Sequence, residues 1–79
     1  MQHEPQSGLG RAVRALREEA QIDQEDLAER SDLPLSLIAE IESGRSDPTW
    51  GDMRRVAQAL GVSLERLSEL AEEFEGEDG

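Results

Sequence analysis

Residues 23–44 read DQEDLAERSDLPLSLIAEIESG, and this run decides the fold. It divides into two short segments with helical apolar spacing around a tight turn. Asp23 stands where a helix needs an N-cap, since its side-chain oxygen can accept from a free first-turn N–H; Asp26, three residues on, assists the same turn. Leu27 and Ala28 face inward. The turn is Ser31-Asp32-Leu33, with Asp32 at its sharpest point, because Asp tolerates left-handed backbone better than most residues, though less well than Gly. Pro34 suits a helix start, where its missing N–H costs little. Leu37, Ile38 and Ile41 supply the inner face of the second segment, and Gly44 terminates it. The small Ala28 lets the two backbones approach, and Ile38, ten residues later, packs back into the crossing.

Working outward, three more helices are expected. Leu9, Ala12, Val13, Leu16 and Ala20 share one stripe of a first helix over about 9–20. Thr49, with Asp52 as its capping partner, opens a fourth helix whose inner face is Trp50, Met53, Val56, Ala57 and Leu60; Gly61 ends it. Ser63 caps a fifth, on which Leu64, Leu67, Leu70, Ala71 and Phe74 recur every three or four residues. There is no strand pattern and no internal repeat. The expected fold is all-α with five helices: residues 1–7 a disordered N-terminus, 8–74 the domain, and 75–79 an acidic disordered tail.

Composition narrows the function. Seventy-nine residues make one small domain near the size at which a single core is barely sufficient. With no cysteine, neither disulfides nor thiol chemistry are available, which fits a reducing cytoplasm. The apolar runs are too short to span a membrane, and MQHEPQSG lacks the basic end and apolar stretch of a signal peptide. A soluble cytoplasmic protein with no membrane partner is expected. The net charge of −11 argues against indiscriminate binding to nucleic acid or anionic membrane. From Glu65 to Gly79 there are seven acids and one arginine, so the tail carries about half the imbalance. All eight basic residues other than His3 are arginine.

The stretches LGRAVRALREEAQIDQEDLA (9–28), LSLIAEIESGRSDPT (35–49) and RRVAQALGVSLERL (54–67) resemble the Cro/phage-repressor, or XRE-like, helix-turn-helix family. The resemblance covers residues 9–67 with matching spacing throughout. It implies a lambda-repressor-like DNA-binding domain with the helix-turn-helix at helices two and three. It implies that Arg17 pairs with Glu42, tying helix one to the end of helix three as architecture. It implies that Gln24, opening helix two, contacts a phosphate, and that Arg45 reaches another. The base-reading positions it implies are Leu35, Ser36, Ala39 and Glu40. Ser36 can hydrogen-bond a base or phosphate, Leu35 and Ala39 can meet a thymine methyl, and Glu40 can accept from cytosine N4. The alternative is that these residues meet a protein or only solvent. From Gln24 to Arg45 there are six acids against two arginines, a surface that does not seek phosphate.

Other chemistry has little support. His3 is the one histidine and lies in the N-terminal tail, tyrosine is absent, and no acid pair has metal-ligand spacing, so no catalytic residue, metal site or cofactor is expected. The stripe Leu67, Leu70, Ala71 and Phe74 runs past what the core needs. It is read as a homodimer interface, which would set two reading helices about one DNA turn apart; the other reading folds Phe74 back onto its own core. The sequence thus predicts a dimeric, sequence-specific regulator that binds double-stranded DNA at an inverted repeat. The competing class is a protein-interaction module on the same fold: an antitoxin, a co-regulator, or an antagonist that mimics DNA.

Overall fold

The computed structural model describes residues 7–46 and 48–78. They form α1 (Ser7–Glu19), α2 (Gln24–Ser31), α3 (Leu35–Ser43), α4 (Trp50–Leu60) and α5 (Leu64–Asp78), and no strand is found among the described residues. The expected disorder of residues 1–6, including His3, lies outside the described residues, as does Asp47; Ser7 already belongs to α1.

The caps explain where the helices begin and end. Asp23 Oδ1 accepts from Asp26 N at 2.8 Å, and Ser63 Oγ accepts from Arg66 N at 3.0 Å. Thr49 and Asp52 form a reciprocal capping box, with each side chain accepting from the other's backbone N–H. Asp32 closes α2 in the left-handed region at φ 59°, and Gly44 closes α3 at φ 79°. Pro34 sits at the N-cap of α3 and gives no side-chain bond; its carbonyl receives the N–H of Leu37 and Ile38.

α1 packs chiefly on α5 and α3, and α2 on α3 and α4. The core they enclose is centred on Val13, Leu27, Ile38, Ile41, Val56 and Leu67. Two glycines set the closest crossings. A Cβ on Gly10 would lie 2.5 Å from the Ile41 carbonyl oxygen, so only a residue without one lets α1 lie against the end of α3. Gly8 plays the same part toward α5, where a Cβ would meet the carbonyl of Ala71.

Four expectations are corrected. Ala20 is exposed and outside α1, because Gln21 turns the chain at φ 62° with its N–H on the Glu18 carbonyl. Trp50, expected on the inner face of α4, is 69% exposed, since it occupies the first turn, where the stripe begins before the core does. Leu67, expected at a dimer interface, is fully buried in its own core, while Leu70, Ala71 and Phe74 are half-buried against it. The acidic tail expected from residue 75 is instead helical through Asp78. The close approach at Gly8 and the hold of Arg11 on Phe74 carry α5 onward. The Arg11 guanidinium lies 5.7 Å from the Phe74 ring centroid and donates to its carbonyl at 3.4 Å.

Candidate nucleic-acid interface

α3 has one anchored flank and one free flank. Ile38 and Ile41 are buried and fix its rotation, while Leu37 is half-buried. On the other side, Leu35 is 42% exposed, Ser36 and Glu40 are exposed, and Ala39 is half-buried. Positions 35, 36, 39 and 40 lie one helical turn apart in pairs, so they form a single stripe. The four expected base-reading residues are therefore brought together. Leu35 is one of only two large apolar side chains that are exposed among the described residues.

The footing of this stripe is a four-way junction. Arg17 donates to Glu42 through Nε (2.7 Å) and Nη2 (3.1 Å), and its Nη1 donates to the Ile22 carbonyl at 2.9 Å. The two side chains are 12% and 5% exposed. The hydrogen bond to Glu42 raises the Arg17 pKa further above its ordinary value, outweighing the lowering effect of burial. Gln24 joins the same carboxylate, its Nε2 donating to Glu42 Oε1 at 3.0 Å. One amide hydrogen of Gln24 is thus committed inside the protein, and the second is left for an external acceptor. Arg45 follows the α3 cap and is exposed; its backbone N–H closes on the Glu40 carbonyl at 2.9 Å, and its side chain meets no described carboxylate.

The surrounding charge is mostly negative. Glu25, Glu29, Asp32 and Glu40 are exposed on α2, the turn and α3, with Arg30 and Arg45 as the exposed bases on this stretch. Arg55, arriving from α4, reaches Asp32 at 3.5 Å in an exposed pair worth little in water. No group of His, Cys, Asp or Glu among the described residues could hold a metal ion. No helix of the described residues is long and apolar enough to cross a membrane.

Sequence reasoning missed Gly10, Gln21, Ser31 and Arg55. Ser31 is buried and satisfies its hydroxyl on the Leu27 carbonyl at 2.7 Å, one turn back along α2. Nothing in its polar neighbourhood announced this. Gly10 could have been found from its place two residues before an inward Ala12-Val13 pair, a small residue where two helices must cross.

Comparison with known proteins gives a consistent picture. A family model described as a helix-turn-helix domain matches residues 8–70. The immunity repressor protein of Bacillus phage phi105 is 34% identical over 59 residues, which is 75% of this chain but 41% of the repressor's length. The clp gene regulator ClgR from Corynebacterium glutamicum superposes with a TM-score of 0.81 at 30% identity, covering 87% of this chain and 76% of that one. The restriction-modification controller protein C.Esp1396I was solved as a tetramer in complex with its natural 35 base-pair operator. It matches with a TM-score of 0.80 at 26% identity, over 87% of this chain and 91% of that one.

Proposed function

We propose that this chain, which belongs to the Cro/phage-repressor-type helix-turn-helix family, is a sequence-specific DNA-binding transcriptional regulator. It works as a homodimer on an inverted repeat, in the cytoplasm, and carries out no catalysis. The observation that carries this reading is the split character of α3, locked by Ile38 and Ile41 on one side and open at Leu35, Ser36, Ala39 and Glu40 on the other. A helix held in fixed rotation with an open flank is what entry into a major groove requires. Support comes from the similar controller protein solved on its operator.

In this role Gln24 gives its second amide hydrogen to a phosphate, aided by the positive end of α2, and Arg45 neutralises another. Ser36 and Glu40 offer the polar contacts to base edges, and Leu35 and Ala39 the apolar ones. The stripe has little electrostatic help, so a single domain binds weakly and two linked domains are needed for useful affinity. The domain extends over residues 8–74 together with the helical turn beyond.

The acidic surface of α2 and the turn favours a second reading, in which the same face meets a basic protein partner. Selection of binding sites from a random duplex pool at low salt separates the two. A recovered palindrome supports the regulator. Recovery of nothing overturns it in favour of the interaction module.

A further inference from the structure

α3 carries two carboxylates with opposite fates. Glu42 is 5% exposed and committed inward, to Arg17 and Gln24. Glu40 is exposed, and its carboxylate forms no ion pair with a described residue. Its main chain is nevertheless fixed. The Glu40 carbonyl accepts from the Arg45 N–H at 2.9 Å and from Ser43 Oγ at 3.1 Å, which holds it in register with Arg45. Of the neighbouring side chains, Leu35 and Ala39 have no polar atom, and the Ser43 hydroxyl is spent on that carbonyl. No base on α3 itself offsets the charge, since LSLIAEIES contains none.

A carboxylate carried into a DNA groove without a cation is repelled by the phosphates and loses its water. It is tolerated there only if it gains a donor. The base edges of the major groove present two kinds, the N4 amine of cytosine and the N6 amine of adenine; every other polar atom there is an acceptor. Adenine sets the N7 acceptor beside its amine, which opposes a carboxylate, whereas cytosine has only its C5–H beside N4. Glu40 therefore suits cytosine. A paired cytosine gives one N4 hydrogen to guanine and turns the other to the groove. A methyl group on N4 takes that second position, because the first is needed for pairing. The carboxylate then faces a methyl group and no donor, and a desolvated charge without a partner is costly.

We propose that Glu40 makes DNA binding by this chain sensitive to methylation of a cytosine exocyclic amine. N4-methylcytosine at the position Glu40 reads excludes the protein, and unmodified cytosine admits it. Resting on the regulator reading above, this makes the chemical state of the DNA, as well as its sequence, a condition for binding. A methyl group on cytosine C5 leaves the groove-facing N4 hydrogen in place and does not exclude the protein. The switch depends on where the methyl stands and not on its bulk.

Fluorescence anisotropy on the duplex recovered by low-salt selection tests it. Each cytosine is replaced in turn, in both half-sites, by N4-methylcytosine or by its isomer 5-methylcytosine. At the cytosine where Glu40→Ala alters base preference, N4-methylcytosine is expected to weaken wild-type binding about tenfold or more per half-site, the loss of one hydrogen bond to a charged group. 5-Methylcytosine there should leave affinity within about fourfold, the value of a single methyl contact. Glu40→Ala should bind the unmodified and N4-methylated duplexes alike, since alanine neither needs the donor nor reaches the methyl. Its circular dichroism should match the wild type, because position 40 is exposed. Equal wild-type binding to all three duplexes at every cytosine overturns the switch and leaves the regulator standing. So does a Glu40-dependent base that is not cytosine, or an N4-methyl effect that persists undiminished in Glu40→Ala. If selection recovers no site, the regulator reading falls and the switch with it.

Discussion

Gln24 and Glu42 are joined by a 3.0 Å hydrogen bond from the Gln24 carboxamide to the carboxylate that also binds Arg17. The first residue of α2 is thereby fixed to the last turn of α3, and both to α1. The two partners have different consequences when removed. Glu42→Ala leaves the Arg17 guanidinium at 12% exposure without its bidentate acceptor. The expected cost is about 3 kcal/mol, and the melting temperature should fall by more than about 10 °C in a thermal scan. Gln24→Ala should cost less than about 1 kcal/mol in the same scan while weakening DNA binding on every sequence alike.

The glycine positions divide by what lies behind them. Gly10→Ala drives a methyl group against the Ile41 and Glu42 carbonyl oxygens, backbone atoms that cannot swing aside. Urea denaturation should register a loss of about 2–3 kcal/mol. Gly51→Ala meets only Thr49 Oγ1, at 3.8 Å, and lies within α4. It should stabilise the protein by about 0.5–1 kcal/mol, because alanine is the better helix former.

The capping box of α4 makes a local prediction. Thr49→Ala removes the acceptor of the Asp52 N–H and should cost about 1 kcal/mol. Circular dichroism should show the loss as a lower melting temperature with little change in helix content at low temperature.

On DNA, two substitutions should behave differently. In the proposed role Arg45→Ala removes a phosphate contact, so affinity should drop on all sequences and the salt slope should shrink by about one unit. Glu40→Ala should change preference at one base position and leave the salt slope nearly unchanged. Fluorescence anisotropy on the selected site and single-base variants reads both. Parallel losses for the two variants would remove Glu40 from the base-reading stripe.

Much of this molecule is legible in its sequence where side-chain chemistry speaks locally. Asp23, Thr49, Ser63, Asp32 and Gly44 announce the helix ends, and helical spacing within each element, as in Val13 and Leu16, Ile38 and Ile41, and Met53, Val56 and Ala57, announces the core. The ends of stripes were less legible. Trp50 and Phe74 both continue an apolar pattern, yet one points out and the other folds in. That outcome depends on which neighbouring helix extends alongside, and periodicity does not contain it. The left-handed Gln21 was hidden for a related reason: the chain reverses there without glycine or asparagine, supported by backbone bonds to Arg17 and Glu18. At the candidate interface the four α3 positions fall on one stripe as expected. The inward hydrogen bond of Gln24 was invisible, since it depends on the depth at which Glu42 sits.

The left-handed stops at Gln21 and Asp32 also bear on how the protein breathes. They bracket α2, an eight-residue helix, and each places a Cβ where the backbone disfavours one, at a cost of about 1 kcal/mol. That strain leads to the expectation that amides at the ends of α2 exchange with solvent ahead of those of α1 and α5. The Arg17–Glu42 clasp ties α3 directly to α1, and α2 joins it only through Gln24 at its first residue. When the rest of α2 loosens, α3 keeps its tether to α1.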